Sequence, residues 1–368
     1  MNQPMDPSCF LSWFQGKKVL VTGHTGFKGS WLCAALSLSG AEVTGYALNP
    51  PGEPSLFELS GMAERMRDVR GDIRDFGALK EVFEQTQPEI VLHLAAQPIV
   101  RLSYEEPRYT YETNVMGTVN VLECVRLTGS VRSFLNVTTD KVYLNREQDK
   151  GYREEDPLDG FDPYSNSKSC SELVTHSYKN SFFHFRGAPA ISTARAGNVI
   201  GGGDFARDRI IPDCIRAALA GRPIRLRNPH SIRPYQHVLE PVMAYLMLAR
   251  AQMEDPEKAD WYNVGPDEEN CVTTGTLADL FVRCWGEGSS WISEAEANAV
   301  HEASYLKLDS TRIRESIPWE PVWSVEKAVQ ETVKWTRAWQ RGENVFREME
   351  REIQLYVSDW KAENGKAL

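Results

Sequence analysis

A short β-rich run, Lys17 to Thr22, passes directly into Gly23-His24-Thr25-Gly26-Phe27-Lys28-Gly29, and helical composition follows from Ser30 to Ser39, ending at Gly40. Glycines at a strand-to-helix junction allow a tight turn and a close approach of ligand to backbone. The N–H groups that open the helix have no intrahelical partner and suit a pyrophosphate. Gly23, Thr25, Gly26, Phe27, Lys28 and Gly29 are therefore candidate cofactor contacts. The spacing is G-x-x-G-x-x-G, and an ordinary βα turn also carries glycine; the strand before and the helix after favour the dinucleotide reading. His24 and Lys28 are bulky or charged where such loops are small or apolar. They are either solvated bystanders or residues that alter cofactor affinity.

The same rhythm continues downstream. Glu42 to Leu48 reads as strand, Phe76 to Gln85 as helix, Glu89 to Leu94 as strand, Pro107 to Leu127 as a long helix and Arg132 to Thr138 as strand. Alternation of this kind predicts an α/β fold, a Rossmann-type doubly wound parallel sheet. Gly and Pro punctuate the second half at Gly201-Gly202-Gly203, Gly221, Pro223, Pro229 and Pro234, before a Trp-rich helical end from Val325 onward. We expect a nucleotide-binding domain over residues 1–199 and a smaller mixed α/β substrate domain mainly over 200–368. A segment near 235–255 is expected to return to the sheet.

A chain of 368 residues with 42% hydrophobic content can bury one large core or two coupled ones. Its net charge of −10 argues against nucleic acid or an anionic membrane as the main partner, and leaves a small molecule held in a local basic pocket. Seven cysteines, an odd number without a C-x-x-C pair, suit a reducing cytoplasm better than a disulfide framework. Met1 to Gln15 has no signal-peptide pattern, no stretch approaches 18 apolar residues, and no metal site is expected.

The end of the second strand reports on the cofactor. An acidic residue there holds a ribose 2′-hydroxyl, and a basic cluster holds a 2′-phosphate. The segment Tyr46-Ala47-Leu48-Asn49-Pro50-Pro51 has neither. Asn49 can hydrogen-bond a hydroxyl but offers a phosphate no charge, so NAD is favoured over NADP.

Tyr164-Ser165-Asn166-Ser167-Lys168 places a phenol and an amine one helical turn apart, one loop after the strand ending in Val137-Thr138-Thr139. A phenol is a poor base at neutral pH, and a neighbouring ammonium favours its phenolate. Tyr164 can then take a hydroxyl proton while hydride leaves the same carbon. Tyr-x-x-x-Lys alone is a weak signal, since a packed Tyr beside a solvated Lys looks the same; its setting after the glycine loop gives it weight.

With these residues in view, nearly the whole chain resembles the extended short-chain dehydrogenase/reductase family. Gly23, Gly26 and Gly29 match its cofactor loop, Asp72-Ile73 its adenine contact, and Leu94-Ala95-Ala96 the strand end beside the nicotinamide ribose. Thr139, Tyr164 and Lys168 match its catalytic triad, and Asn114 its structural helix asparagine. Arg195 to Val199 matches the stretch that meets cofactor and then substrate. The resemblance implies a nucleotide-sugar substrate, with Gln97, Thr139, Asn198 and the diphosphate-binding Arg233 among its contacts, and Arg209, Arg225 and Arg227 as weaker candidates.

Asp140-Lys141 follows Thr139 where sugar 4-epimerases of the family carry small neutral residues. A 4,6-dehydratase needs an acid and a base near C5 and C6 as well as C4 redox chemistry, and this pair can supply them. The Asp-Lys combination is similar to that of the family's branch acting on CDP-glucose. Such enzymes supply deoxysugars, including those of lipopolysaccharide O-antigens. A surface salt bridge is the bland alternative, although neighbours after a strand usually point apart. The resemblance also implies a homodimer or homotetramer built on the Pro107–Leu127 and Tyr164–Lys179 helices. Two other readings remain open. One is a dehydratase or 4-epimerase of the same fold using another nucleotide; the other is a non-catalytic dinucleotide-sensing protein, a class that commonly lacks the Tyr/Lys pair.

Overall fold

The computed structural model describes residues 10–286, 288–294 and 305–364. Cys9 and most of the Met1 to Gln15 segment lie outside the described residues. Seven parallel strands form the central sheet: β1 (Lys18–Thr22), β2 (Glu42–Ala47), β3 (Arg67–Arg70), β4 (Ile90–His93), β5 (Ser133–Thr139), β6 (Ala190–Ala196) and β7 (Trp261–Val264). Their order is β7-β6-β5-β4-β1-β2-β3. The direction of winding reverses between β1 and β4. The carboxyl ends of those two strands therefore border the crevice where doubly wound sheets bind ligands.

β4, β5 and β6 are buried at every position, so their sequences run mostly apolar or small, and the larger polar residues His93, Asn136 and Arg195 are hydrogen-bonded inside. β3, Arg67-Asp68-Val69-Arg70, has three charged residues in four and lies at the edge. Its sequence carries no apolar period, and tertiary pairing with β2 overrides that.

Helices α1 (Phe27–Leu38), α2 (Phe76–Thr86), α3 (Gly117–Leu127) and α4 (Pro163–Phe182) follow β1, β3, β4 and β5. The later helices are α5 (Ile210–Leu219), α6 (Leu239–Glu254), α7 (Thr274–Trp285), α8 (Val325–Gln340) and α9 (Val345–Asn364). One core joins α1, α6 and α9 to one side of the sheet through Trp31, Leu36, Val242, Leu246, Ile353 and Tyr356. On the other side Leu79, Phe83, Val121, Val125 and Phe134 pack together. A third cluster, including Ile211, Ile215, Leu277, Phe281 and Val329, holds α5, α7 and α8 together beside the crevice.

Residues 107–127 form one helical rod with a local defect. Pro107–Tyr111 is α-helical, Glu112–Met116 is a π-helical turn, and α3 continues from Gly117. π turns insert a residue into the ladder and frequently accompany functional sites. This one carries Asn114, whose Oδ1 accepts from Gln97 N at 2.8 Å while Nδ2 donates to Gln97 O and to Ser167 Oγ. The defect thereby ties the segment after β4 to α4.

Candidate active site

Gly23 begins the loop after β1 with φ of 76°, and a Cβ there would lie 2.6 Å from Ala95 N. Only glycine meets both conditions. Gly26 is the N-cap of α1 and supplies no side-chain cap, so the first N–H groups of the helix stay open to a ligand. A backbone cradle of this kind fits a dinucleotide pyrophosphate. Thr25 faces the other way, its hydroxyl donating to Leu48 O at 3.0 Å. His24 is no solvated bystander: it is wholly buried, Nε2 lies 2.8 Å from Asp68 Oδ1 in β3, and its ring fills the space above Gly45. Lys28 turns into the crevice, where Nζ donates to Tyr245 Oη at 3.3 Å. Burial, with help from Arg209 and Lys168, lowers its pKa to about 7.

At the end of β2, Asn49 is exposed. Arg70 of β3 reaches Leu48 O beside it, which the sequence around residue 48 did not signal. Its guanidinium is already paired with Asp68 Oδ2 at 2.8 Å. Asp72 is held by Arg74 at 2.6 Å, and Ile73 is buried. Leu94-Ala95-Ala96 follows β4, with Leu94 N on Thr22 O and Ala95 N on Thr22 Oγ1.

Between the sheet and the α5–α8 cluster lies a cavity of about 860 Å³, lined by Gly23, Phe27, Lys28, Leu94, Ala96, Thr139, Asp140, Lys141, Tyr164, Lys168, Asn198, Arg209, Arg227 and Arg233, among others. Ten Lys and Arg side chains line it against six carboxylates, the opposite balance from the chain's net −10. The cavity is therefore suited to an anionic ligand.

Helix α4 presents Tyr164 and Lys168. Asp162 caps it, accepting from Ser165 N at 2.9 Å, and Pro163 fits the first turn. Gly160 lies so close to the Ser165 backbone that any Cβ would overlap it. Lys168 Nζ donates to Val137 O at 3.1 Å. Burial lowers the Lys168 pKa to about 8 while Glu172 opposes the shift, and burial pushes the Tyr164 phenol up to about 12 while the Thr139 hydroxyl draws it down. Desolvation of the phenol outweighs the electrostatic help expected from the sequence.

Asp140–Val142 is a 3₁₀ turn that continues β5. It gathers neighbours that an extended strand would point apart: Lys141 Nζ lies 3.0 Å from Asp140 Oδ1 and 3.2 Å from Asn198 Oδ1. The pair is an ion pair, but one set in the cavity and not on the surface. Asp140 is wholly buried; Oδ1 also accepts from Thr139 Oγ1 at 2.9 Å, and Oδ2 has no partner among the described residues. An unsatisfied buried carboxylate oxygen costs free energy unless a ligand completes it.

Besides Thr25, three assigned residues stand apart from their expected contacts. Arg195, expected at the cofactor, is wholly buried behind the site, with its guanidinium on Glu172 Oε2, Tyr143 Oη and Glu154 O. Its place in β6 turns it toward α4, and one chain motif could not reveal that Glu172 claims it. Gln97, expected at the substrate, is buried and spends its amide on Thr110 Oγ1 and Ile99 N. Arg225 is at the cavity margin, with Nη1 2.7 Å from Glu294 Oε2 and a side chain 69% exposed. Arg101, which the sequence reading passed over, lines the cavity from the helix Val100–Glu105.

Fold and site together define an α/β nucleotide-binding protein with a proton-transfer centre at the sheet's switch point. The model of the family described as GDP-mannose 4,6 dehydratase matches residues 20–332, and the chain belongs to that family. It is 47% identical to a CDP-glucose 4,6-dehydratase of Salmonella typhimurium, over 94% of this chain and 98% of the relative. It is 29% identical to a dTDP-glucose 4,6-dehydratase of Xanthomonas campestris pv. campestris, over 88% of this chain and 95% of the relative. A dTDP-glucose 4,6-dehydratase from Bacillus anthracis, solved in complex with NAD, superposes with a TM-score of 0.73 at 20% identity, covering 90% of this chain and all of that one.

Proposed function

We propose that this chain is an NAD-dependent 4,6-dehydratase that converts CDP-glucose to CDP-4-keto-6-deoxyglucose. The observation that carries the reading is the Asp140–Lys141 pair sharing one cavity with Tyr164 and Lys168. The 47% identity to a CDP-glucose 4,6-dehydratase supports the choice of substrate.

The backbone of Gly23, Gly26 and Gly29 would hold the NAD pyrophosphate at the open N-terminus of α1, with Asn49 and Asp72-Ile73 toward the adenosine and Leu94 to Ala96 and Lys168 toward the nicotinamide ribose. NAD, when bound, accepts hydride from C4 and returns it at C6. Tyr164, hydrogen-bonded by Thr139 and supported by Lys168, removes the C4 hydroxyl proton. A proton passing from Lys141 Nζ to Asp140 Oδ1 across 3.0 Å creates a neutral amine and a carboxylic acid together. Lys141 then removes the C5 proton that the new carbonyl has acidified, and Asp140 protonates the departing C6 hydroxyl. Those transfers restore the ammonium and the carboxylate, and Lys141 can return a proton to C5. Asn198, which accepts from Lys141, orients the amine. Arg209, Arg227 and Arg233 bind the diphosphate.

We further propose a nucleotide-binding domain over 1–199, joined by a returning segment, and a substrate domain mainly over 200–368. Support comes from α6 (Leu239–Glu254), which packs under the sheet; the return runs beyond the expected 235–255, since β7 (Trp261–Val264) pairs with β6 and α9 joins the same core. A homodimer, or a tetramer made of two, would cover the apolar face on which Tyr111, Met116, Leu173 and Phe182 are exposed. No helix among the described residues is long and apolar enough to cross a membrane, and the six described cysteines are unpaired, which together favour the cytoplasm.

The test is incubation with NAD and a panel of CDP-, dTDP-, GDP- and UDP-linked sugars, read by mass spectrometry. Loss of one water from CDP-glucose, giving a 4-keto-6-deoxy product, is expected. An epimer of unchanged mass, or preference for another nucleotide, overturns the reading.

A further inference from the structure

The cavity contains an anion of its own, placed between two of its cations. Asp208 Oδ1 lies 3.0 Å from Arg227 Nη1 and 3.8 Å from Arg101 Nη1. The arginines come from different elements: Arg101 stands on the helix Val100–Glu105 after β4, and Arg227 follows the strand Ile224–Leu226. Asp208 itself has φ of 60°, in the left-handed region. Non-glycine residues there are uncommon, and such conformations persist where the surroundings hold them, often at ligand sites. The nearby Arg209–Asp204 pair is different in kind, since it closes within one loop and the Asp204 side chain is only 4% exposed.

We propose that Asp208 is a resident counter-ion which joins Arg101 to Arg227 in the ligand-free protein and is exchanged for the substrate's diphosphate, so that it sets the affinity for that group. This rests on the reading that the cavity takes a nucleoside diphosphate-sugar. The exchange is favourable on two grounds. Both arginines approach the same Asp208 oxygen, Oδ1, whereas a diphosphate offers oxygens enough for a fork to each. The three side chains are 32% (Arg101), 34% (Arg227) and 43% (Asp208) exposed, and ion pairs this open to water are weak and easily broken. Once released, Asp208 has solvent to return to.

Calorimetric titration with CDP tests the exchange on the full chain. Asp208→Asn removes the charge while keeping a residue that tolerates left-handed backbone, and Asp208→Gly suits the same φ should the first variant fail to fold. Either is expected to bind CDP about fivefold more tightly, the scale of one exposed ion pair released. Arg101→Gln should weaken CDP binding, and in that background the gain from Asp208→Asn should shrink, because one of the two cations it frees is gone. Unchanged or weaker CDP binding by the Asp208 variants overturns the exchange, as does an undiminished gain without Arg101. Wild-type protein that binds no CDP at all overturns the nucleotide reading first.

Discussion

Lys141 Nζ and Asp140 Oδ1 stand 3.0 Å apart at the end of β5, in a 3₁₀ turn that places consecutive side chains in the same cavity. An ammonium and a carboxylate so placed can exchange one proton and thereby become base and acid together. The dehydration step is thus separable from oxidation at C4. Lys141→Ala should still pass hydride from substrate to NAD, with NADH absorbance accumulating on mixing, but stall before water is lost. Asp140→Asn should slow loss of the C6 hydroxyl while sparing C4 oxidation. Deuterium from solvent should appear at C5 during wild-type turnover. Dehydration by Lys141→Ala at the wild-type rate would falsify the assignment.

Lys168 links activity to stability. Its pKa falls from the ordinary 10.5 to about 8 in the fold, so the unfolded chain binds more protons between those values, and stability should rise as pH climbs from about 8 to 10.5. Below pH 8 the full cost of burying the charge is present. Each pKa unit corresponds to ~1.4 kcal/mol, against which loss of the hydrogen bond to Val137 O costs about 1 kcal/mol. Lys168→Met should therefore be inactive yet more stable than wild type by about 1–2 kcal/mol at pH 7, with the difference fading above pH 10. Denaturant titration at the two pH values checks this; a destabilised variant at pH 7 counts against it.

Gly160 controls the placement of Tyr164. A Cβ there would strike the Ser165 backbone, one residue past the phenol, so Gly160→Ala must shift the first turn of α4. The expected result is a drop in kcat of at least about tenfold, since small misplacements of a catalytic group are costly, with NAD affinity little changed. Equal losses in kcat and in NAD binding would point to a general defect instead.

The assembly proposal makes a simple demand on solution behaviour. Leu173 is 54% exposed and Met116 52% exposed on neighbouring helices. Leu173→Asp together with Met116→Lys should convert the protein to monomer at micromolar concentration, read by sedimentation velocity, while wild type sediments as a dimer or tetramer. A wild-type monomer would sink the proposal.

Much of this architecture was legible in the chain because the signals were local. The glycine loop required a strand before it and a helix after it, and the rod over 107–127 was visible as one helix, though not its π turn, which depends on Asn114 reaching Gln97 and Ser167. β3 could not be read, because its four residues are mostly charged and only pairing with β2 makes them a strand. At the site, Tyr164 and Lys168 share one cavity face as their helical spacing suggested, and Asp140 and Lys141, which the family resemblance singled out, line the same cavity. Arg195 and Gln97 did not behave as polar residues near a ligand, since each finds buried partners far away in sequence or from another element. Side-chain destinations of that kind are set by packing, and a motif carries no record of them.

The contact between α1 and α9 sets an order on how the molecule can be made. Trp31 and Leu36 of α1 share one core with Ile353 and Tyr356 of α9, and Phe10, ahead of α1, meets Trp360 of α9 at 6.0 Å between ring centroids. Helix α1 thus waits for α9, the last described helix, before its apolar back is fully covered. During that interval the glycine loop belongs to a helix with one bare side, a surface fit for a chaperone. Chains interrupted before residue 345 should retain the complete catalytic sequence and still be caught in that state.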